Sequence, residues 1–133
     1  MVGIDWLEKS ENIRQGKRTI KRYGRRFRRK NFIGDGKANY CHQNAAEYVK
    51  KNGGTLYYGL AYTPDVTIIG HSWPVVDGVL QEVTKNCETI TLYVGVPVKD
   101  ELLKDDEKYT HMPVREIIDW NTQSSITGRL GLI

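Results

Sequence analysis

At 133 residues, with 39% hydrophobic and 27% charged side chains, the chain has the size and apolar content of one packed domain, which excludes a disordered or fibrous chain. No apolar run approaches the roughly 20 residues that a membrane-spanning helix needs. Ten Lys/Arg and no Asp/Glu lie between Arg14 and Lys30, so the net charge of +4 belongs to one segment and the remainder is acidic.

Met1-Val2-Gly3-Ile4-Asp5-Trp6 lacks the basic start and apolar core of a signal peptide. The expectation is a cytoplasmic protein in which Cys41 and Cys87 are free thiols rather than a disulfide. A single domain over 1–133 is expected, with a helical, basic segment at 1–30, a core at 38–98, and C-terminal helices and tail at 99–133.

In chain order, Asp5 to Gln15 reads as a short helix with Trp6, Leu7 and Ile13 as apolar contacts. On a helical wheel continued through the basic segment, Ile20, Tyr23 and Phe27 fall together, and Arg and Lys residues fill much of the remaining circumference. Gly16 and Gly24 weaken that helix by about 1 kcal/mol each, which leaves an extended or broken form open. Residues 31–37, Asn-Phe-Ile-Gly-Asp-Gly-Lys, read as a loop. A helix is expected from about Tyr40 to Lys51, with Cys41, Ala45, Tyr48 and Val49 on one face and Gly53-Gly54 ending it.

The period then changes. Residues 55–62, 66–69, 71–76, 79–84 and 89–94 are rich in β-branched and aromatic side chains and read as strands of a mostly antiparallel sheet of about four strands. Asp77-Gly78 is a hairpin turn between 71–76 and 79–84. Short helices are expected near Lys99 to Glu107 and Val114 to Trp120, with an irregular tail from Asn121.

Cys41 stands at the start of its helix, where unpaired backbone N–H groups and the helix dipole stabilise negative charge and can hold an oxyanion. His71, in Gly70-His71-Ser72-Trp73, lies in a strand, where an imidazole can remove the thiol proton and return it to a leaving group. A third group must hold the ring. With the turn at Asp77-Gly78, Glu82 falls opposite Trp73, on the face of His71 and diagonal to it, whereas Asp77 sits at the hairpin tip; Glu82 is favoured.

Each piece has a plainer reading. A lone helix cysteine is ordinarily core, and a histidine beside a tryptophan is ordinarily a satisfied half-buried side chain. The ordered trio tips the balance towards chemistry. His42 is expected to point away from the site at the surface, His111 has no local partner, and Gln43 or Asn39 is either an oxyanion donor or a helix cap. Cys41, His42, His71, Cys87 and His111 lack the paired close spacing of zinc ligands, so no metal or other cofactor is expected, and Cys87 reads as structural or incidental.

Cys-x-x-Asn-Ala opening a helix (Cys41 to Ala45), then Gly-His-Ser-Trp (Gly70 to Trp73), then Glu-Val-Thr (Glu82 to Thr84) resembles the transglutaminase-like branch of papain-type folds, in which a helix-start Cys is followed by a strand His-Ala-Trp and an Asp-Pro-Thr. Tyr93-Val-Gly-Val-Pro-Val98 is similar to the ending of small bacterial and phage proteins with this order. The resemblance spans about residues 38–98 and implies Cys41 as nucleophile, His71 as general base and Glu82 as orienting acid. Glu for Asp, Ser for Ala after the histidine, and a short His-to-acid interval depart from the family pattern.

The expected fold is therefore α+β and papain/transglutaminase-like, with the nucleophile-bearing helix packed on the sheet. The expected function is a cysteine-dependent hydrolase or acyl transferase acting on an amide, ester or thioester bond. The alternative is a non-enzymatic nucleic-acid-binding or partner-inhibiting protein. It would use the basic segment to bind nucleic acid or another polyanion through Arg22, Arg25, Arg26, Arg28, Arg29 and Lys30.

Overall fold

The computed structural model describes residues 4–104 and 112–123. Helix α1, Ile4–Tyr23, leads into strands β1, Arg25–Phe27, and β2, Lys30–Gly36. Helix α2, Cys41–Asn52, precedes strands β3, Thr55–Tyr62, β4, Ile68–Val76, and β5, Val79–Thr84. Strand β6, Leu92–Pro97, is followed by a 3-10 turn, Asp100–Lys104, and helix α3, Val114–Ile117. The side-chain contacts expected of Trp6 and Leu7, together with His111, Asp105 to Glu107 and the tail beyond 123, lie outside the described residues. No helix among the described residues is long and apolar enough to cross a membrane.

The sheet has six strands in the order β1-β6-β3-β4-β5-β2, not about four, and it is mixed: β2 runs parallel to β5 while the other neighbours are antiparallel. The two unforeseen strands come from the basic segment and the expected loop. The Gly24 amide donates to the Ile20 carbonyl at 2.7 Å and closes α1. The chain beyond it is extended. Both β1 and β2 are edge strands, where charge and glycine replace the apolar alternation that identifies an inner strand. Residues 66–69 and 71–76 fall largely within the single strand β4, which starts at Ile68, and the last strand lies later than 89–94. The second expected C-terminal helix is shorter than expected: α3 stops at Ile117, Ile118 bridges to Val98, and the backbone turns helical again at 120–123.

Strands β1 and β2 lie at opposite ends of the strand order, yet only Arg28 and Arg29 join them. Two linking residues span about 10 Å at most. The sheet must therefore curl until its edges approach, forming a small open barrel. Phe27 on β1 meets Tyr57 and Trp73 at ring-centroid separations of 5.3 and 6.0 Å, and Lys30 on β2 reaches Tyr93 on β6. Phe27, Tyr57, Ala61, Trp73, Val75, Leu80, Cys87, Ile90 and Tyr93 form the interior cluster.

The helices cover the outer face. Ala45, Ala46 and Val49 of α2 bury against Leu56, Val98, Leu102 and Ile117, and Ile20 of α1 joins Leu60, Val94, Val96, Val114 and Ile118. Asp77 and Gly78, with φ of 51° and 79°, are both left-handed, as a tight primed hairpin turn requires.

Candidate active site

The first turn of α2 is fixed by side chains from its own sequence. Asn44 donates to the Lys37 carbonyl at 2.9 Å and to the Thr84 hydroxyl at 3.1 Å, tying the helix to the end of β5. His42 Nδ1 is hydrogen-bonded to the Ser72 hydroxyl on β4. Strands β4 and β5 pair only at Val75↔Leu80 and Val76↔Val79, beside the turn. The first turn of α2 thus sits where the two strands part, and half-buried Cys41 is brought to the barrel wall there. Tyr40, the N-cap, makes no side-chain cap bond, so the N–H groups of the first turn have no intrahelical partner.

His71 and Glu82 are buried on the interior face, at 2% and 0% exposure. His71 Nε2 and Glu82 Oε1 are 2.8 Å apart. This is the contact that the hairpin register predicts, and Asp77 is exposed at the tip. Glu82 is itself held: the Tyr93 hydroxyl donates to Oε1 at 2.8 Å and the Thr84 amide donates to Oε2 at 3.2 Å. Burial alone pushes the His71 pKa down. Hydrogen bonds with Cys41, Cys87 and Glu82, together with the Glu82 charge, outweigh it and hold the imidazole well above its ordinary value. The Cys87 sulfur lies within 4.8 Å of the ligand atoms of His71 and Glu82.

Three further groups belong to this cluster and were not legible as such. Tyr93 is held protonated, its pKa raised by burial and then by Glu82. The Lys30 ammonium donates to the Cys87 and Ile90 carbonyls at 2.8 and 2.9 Å and to the Tyr93 hydroxyl at 3.1 Å. Its side chain thus runs inward, unlike the exposed side chains of Arg22, Arg26, Arg28 and Arg29. Cys87 lies beside His71 because the 85–91 connection folds over the barrel interior. For Tyr93 the one available signal was its place in an apolar strand, since a buried tyrosine hydroxyl needs a polar partner. A loop cysteine and an edge lysine carry none.

His42 departs from its expected surface position. It is half-buried, with its ring 5.5 Å from that of Tyr58, and its pKa is pushed down to about 4 by burial and then by the charge of His71. The reason is register: Tyr58 and Ser72 are paired on the helix-covered face, directly under the first turn of α2. Gln43 is exposed and donates to Glu47 at 3.5 Å, and Asn39 is exposed in a left-handed turn before the helix.

Comparison of the chain with protein-family models, with curated proteins and with solved structures finds no match.

Proposed function

We propose that this chain is a cysteine-dependent hydrolase or acyl transferase with a papain/transglutaminase-like arrangement, in which Cys41 attacks an amide, ester or thioester carbonyl. The observation that carries the reading is a buried imidazole bonded at Nε2 to Glu82 and near enough to Cys41, at the start of an uncapped helix, for that thiol to help raise its pKa. His71 takes the thiol proton, sulfur bonds to the carbonyl carbon, and the first-turn N–H groups of α2 receive the oxyanion. The same proton passes to the leaving group as the bond to it breaks. Water, or an acceptor amine or alcohol, then cleaves the thioester with His71 again as base. A nucleophilic thiol requires the reduced state, which suits a cytoplasmic setting.

The test is alkylation of the native protein by iodoacetamide at neutral pH. Cys41 is expected to react faster than a free thiol in solution, and His71→Ala to slow it by about 10- to 100-fold while the far-UV circular dichroism is retained. A Cys41 rate indifferent to His71 sinks the enzyme reading.

A second reading, binding of nucleic acid or another polyanion, is supported by a separate observation: Arg14, Lys17, Arg18, Lys21, Arg22, Arg26, Arg28 and Arg29 are all exposed. The two activities are compatible, because these residues and Cys41 lie on different elements.

A further inference from the structure

His71, Glu82 and Cys87 offer a ring nitrogen, a carboxylate oxygen and a sulfur that all lie within 4.8 Å of one another. Among the described residues this is the one such group of three. We propose that it is a binding site for a soft divalent cation of the zinc class.

The chemistry of the donors favours that class. Thiolate and imidazole select zinc-like ions over magnesium or calcium, and a carboxylate completes a mixed N, O, S set. In a tetrahedral site with bonds of about 2.0–2.3 Å, neighbouring ligand atoms are roughly 3.4–3.6 Å apart. The His71–Glu82 pair, at 2.8 Å, would open by about half an ångström. A sulfur near the outer limit of 4.8 Å would move in by about one. Both are side-chain adjustments. Glu82 is already held in place, by the Tyr93 hydroxyl on the same Oε1 that meets His71 and by the Thr84 amide on Oε2, the kind of outer support that a metal-binding carboxylate requires. The Cys87 carbonyl is pinned by Lys30, which fixes the backbone that carries the thiol.

Binding exchanges protons for metal. The Cys87 thiol and the imidazole N–H shared with Glu82 each release one to solvent, so affinity rises with pH. The Lys30 ammonium, bonded to the Tyr93 hydroxyl on Glu82, opposes the ion electrostatically, an opposition that burial weakens by lowering its pKa. The expected affinity is therefore that of a regulatory site rather than of a permanent structural zinc.

The proposal does not depend on Cys41 being a nucleophile, and its test reads metal directly. Cobalt(II) titrated into the reduced, full-length protein is expected to give a thiolate-to-cobalt charge-transfer band at one equivalent, and zinc(II) to displace it and raise the melting temperature. Cys87→Ser and Cys87→Ala are expected to abolish the band, and Cys41→Ser to keep it. Glu82→Gln, a second variant should loss of the buried Cys87 thiol prevent folding, is expected to lower cobalt affinity. No charge-transfer band in the unaltered protein overturns the proposal. So does a band that vanishes in Cys41→Ser and survives in Cys87→Ser, because the metal would then sit on the outer thiol.

Discussion

His42 and His71 stand in the same region yet respond to it in opposite directions. His42 is held neutral, its pKa pushed down to about 4 by burial and then by His71. In the unfolded chain it titrates near 6.5, so below that pH the unfolded state takes up a proton that the folded state refuses. Its contribution therefore falls as pH drops from about 6.5 to about 4 and changes no further below that. His71, facing Cys41, Cys87, Glu82 and Tyr93, has its folded pKa raised, so its contribution is fully present below about 6.5 and is lost as pH rises through the raised value. Replacing His42 by Gln is expected to reduce the loss of unfolding free energy between pH 7 and pH 4 by on the order of 3 kcal/mol. Urea melts at the two pH values measure this, and an unchanged difference refutes the assignment. His71→Gln is expected to act at the other end, flattening the decline above neutrality.

At the scale of elements, the barrel closes around two glycines. Gly59 and Gly95 are register partners on β3 and β6, and a Cβ on Gly95 would stand 2.5 Å from Cζ2 of Trp73. The indole cannot yield, because Tyr93 meets it edge-on at 5.1 Å and Phe27 at 6.0 Å. Gly95→Ala is accordingly expected to destabilise the protein by about 1–3 kcal/mol despite the gain in backbone order. Denaturant midpoints at constant m-value measure it, and a more stable variant contradicts the packing. The inner elements were legible for the same reason that they are stable: β3, β4 and β5 present aromatic and β-branched side chains around a strong turn, and α2 buries Ala45, Ala46 and Val49 on one stripe. The His71–Glu82 contact followed from the Asp77-Gly78 turn alone. Strands β1 and β2 were hidden, because an edge strand is identified by its partner and theirs lie more than forty residues away in sequence. Lys30 and Cys87 entered the site only through closure of the barrel, a long-range event that no local pattern records.

For the molecule as a whole, the uneven charge has a spatial form. The eight exposed cations at residues 14–29 extend from the last turns of α1 across the link that joins the two sheet edges, and Arg25 is drawn 4.8 Å over the Phe27 ring. Such crowding is tolerated in water because screening is strong beyond about 8–10 Å, and it favours a ligand that supplies several negative charges at once. If phosphates are that ligand, each one neutralised by a side chain contributes about 0.9 to the slope of log affinity against log salt. The combined variant Arg22→Gln, Arg26→Gln, Arg28→Gln and Arg29→Gln is then expected to flatten the slope by up to about 3.6 on duplex DNA, with little change in melting temperature. Lys30→Met is expected to do the reverse. It leaves the slope in place and lowers the melting temperature, because the Cys87 and Ile90 carbonyls and the Tyr93 hydroxyl lose their donor. The competing arrangement has the basic segment matched by acidic side chains of the same chain. Asp100 is the described member of that set, and Asp105, Asp106 and Glu107 lie outside the described residues. Fluorescence anisotropy with labelled DNA across a salt series, paired with thermal melts of both variants, separates the two. No binding at low salt, together with a melting temperature lowered by the four Gln substitutions, decides for internal pairing and removes the polyanion reading.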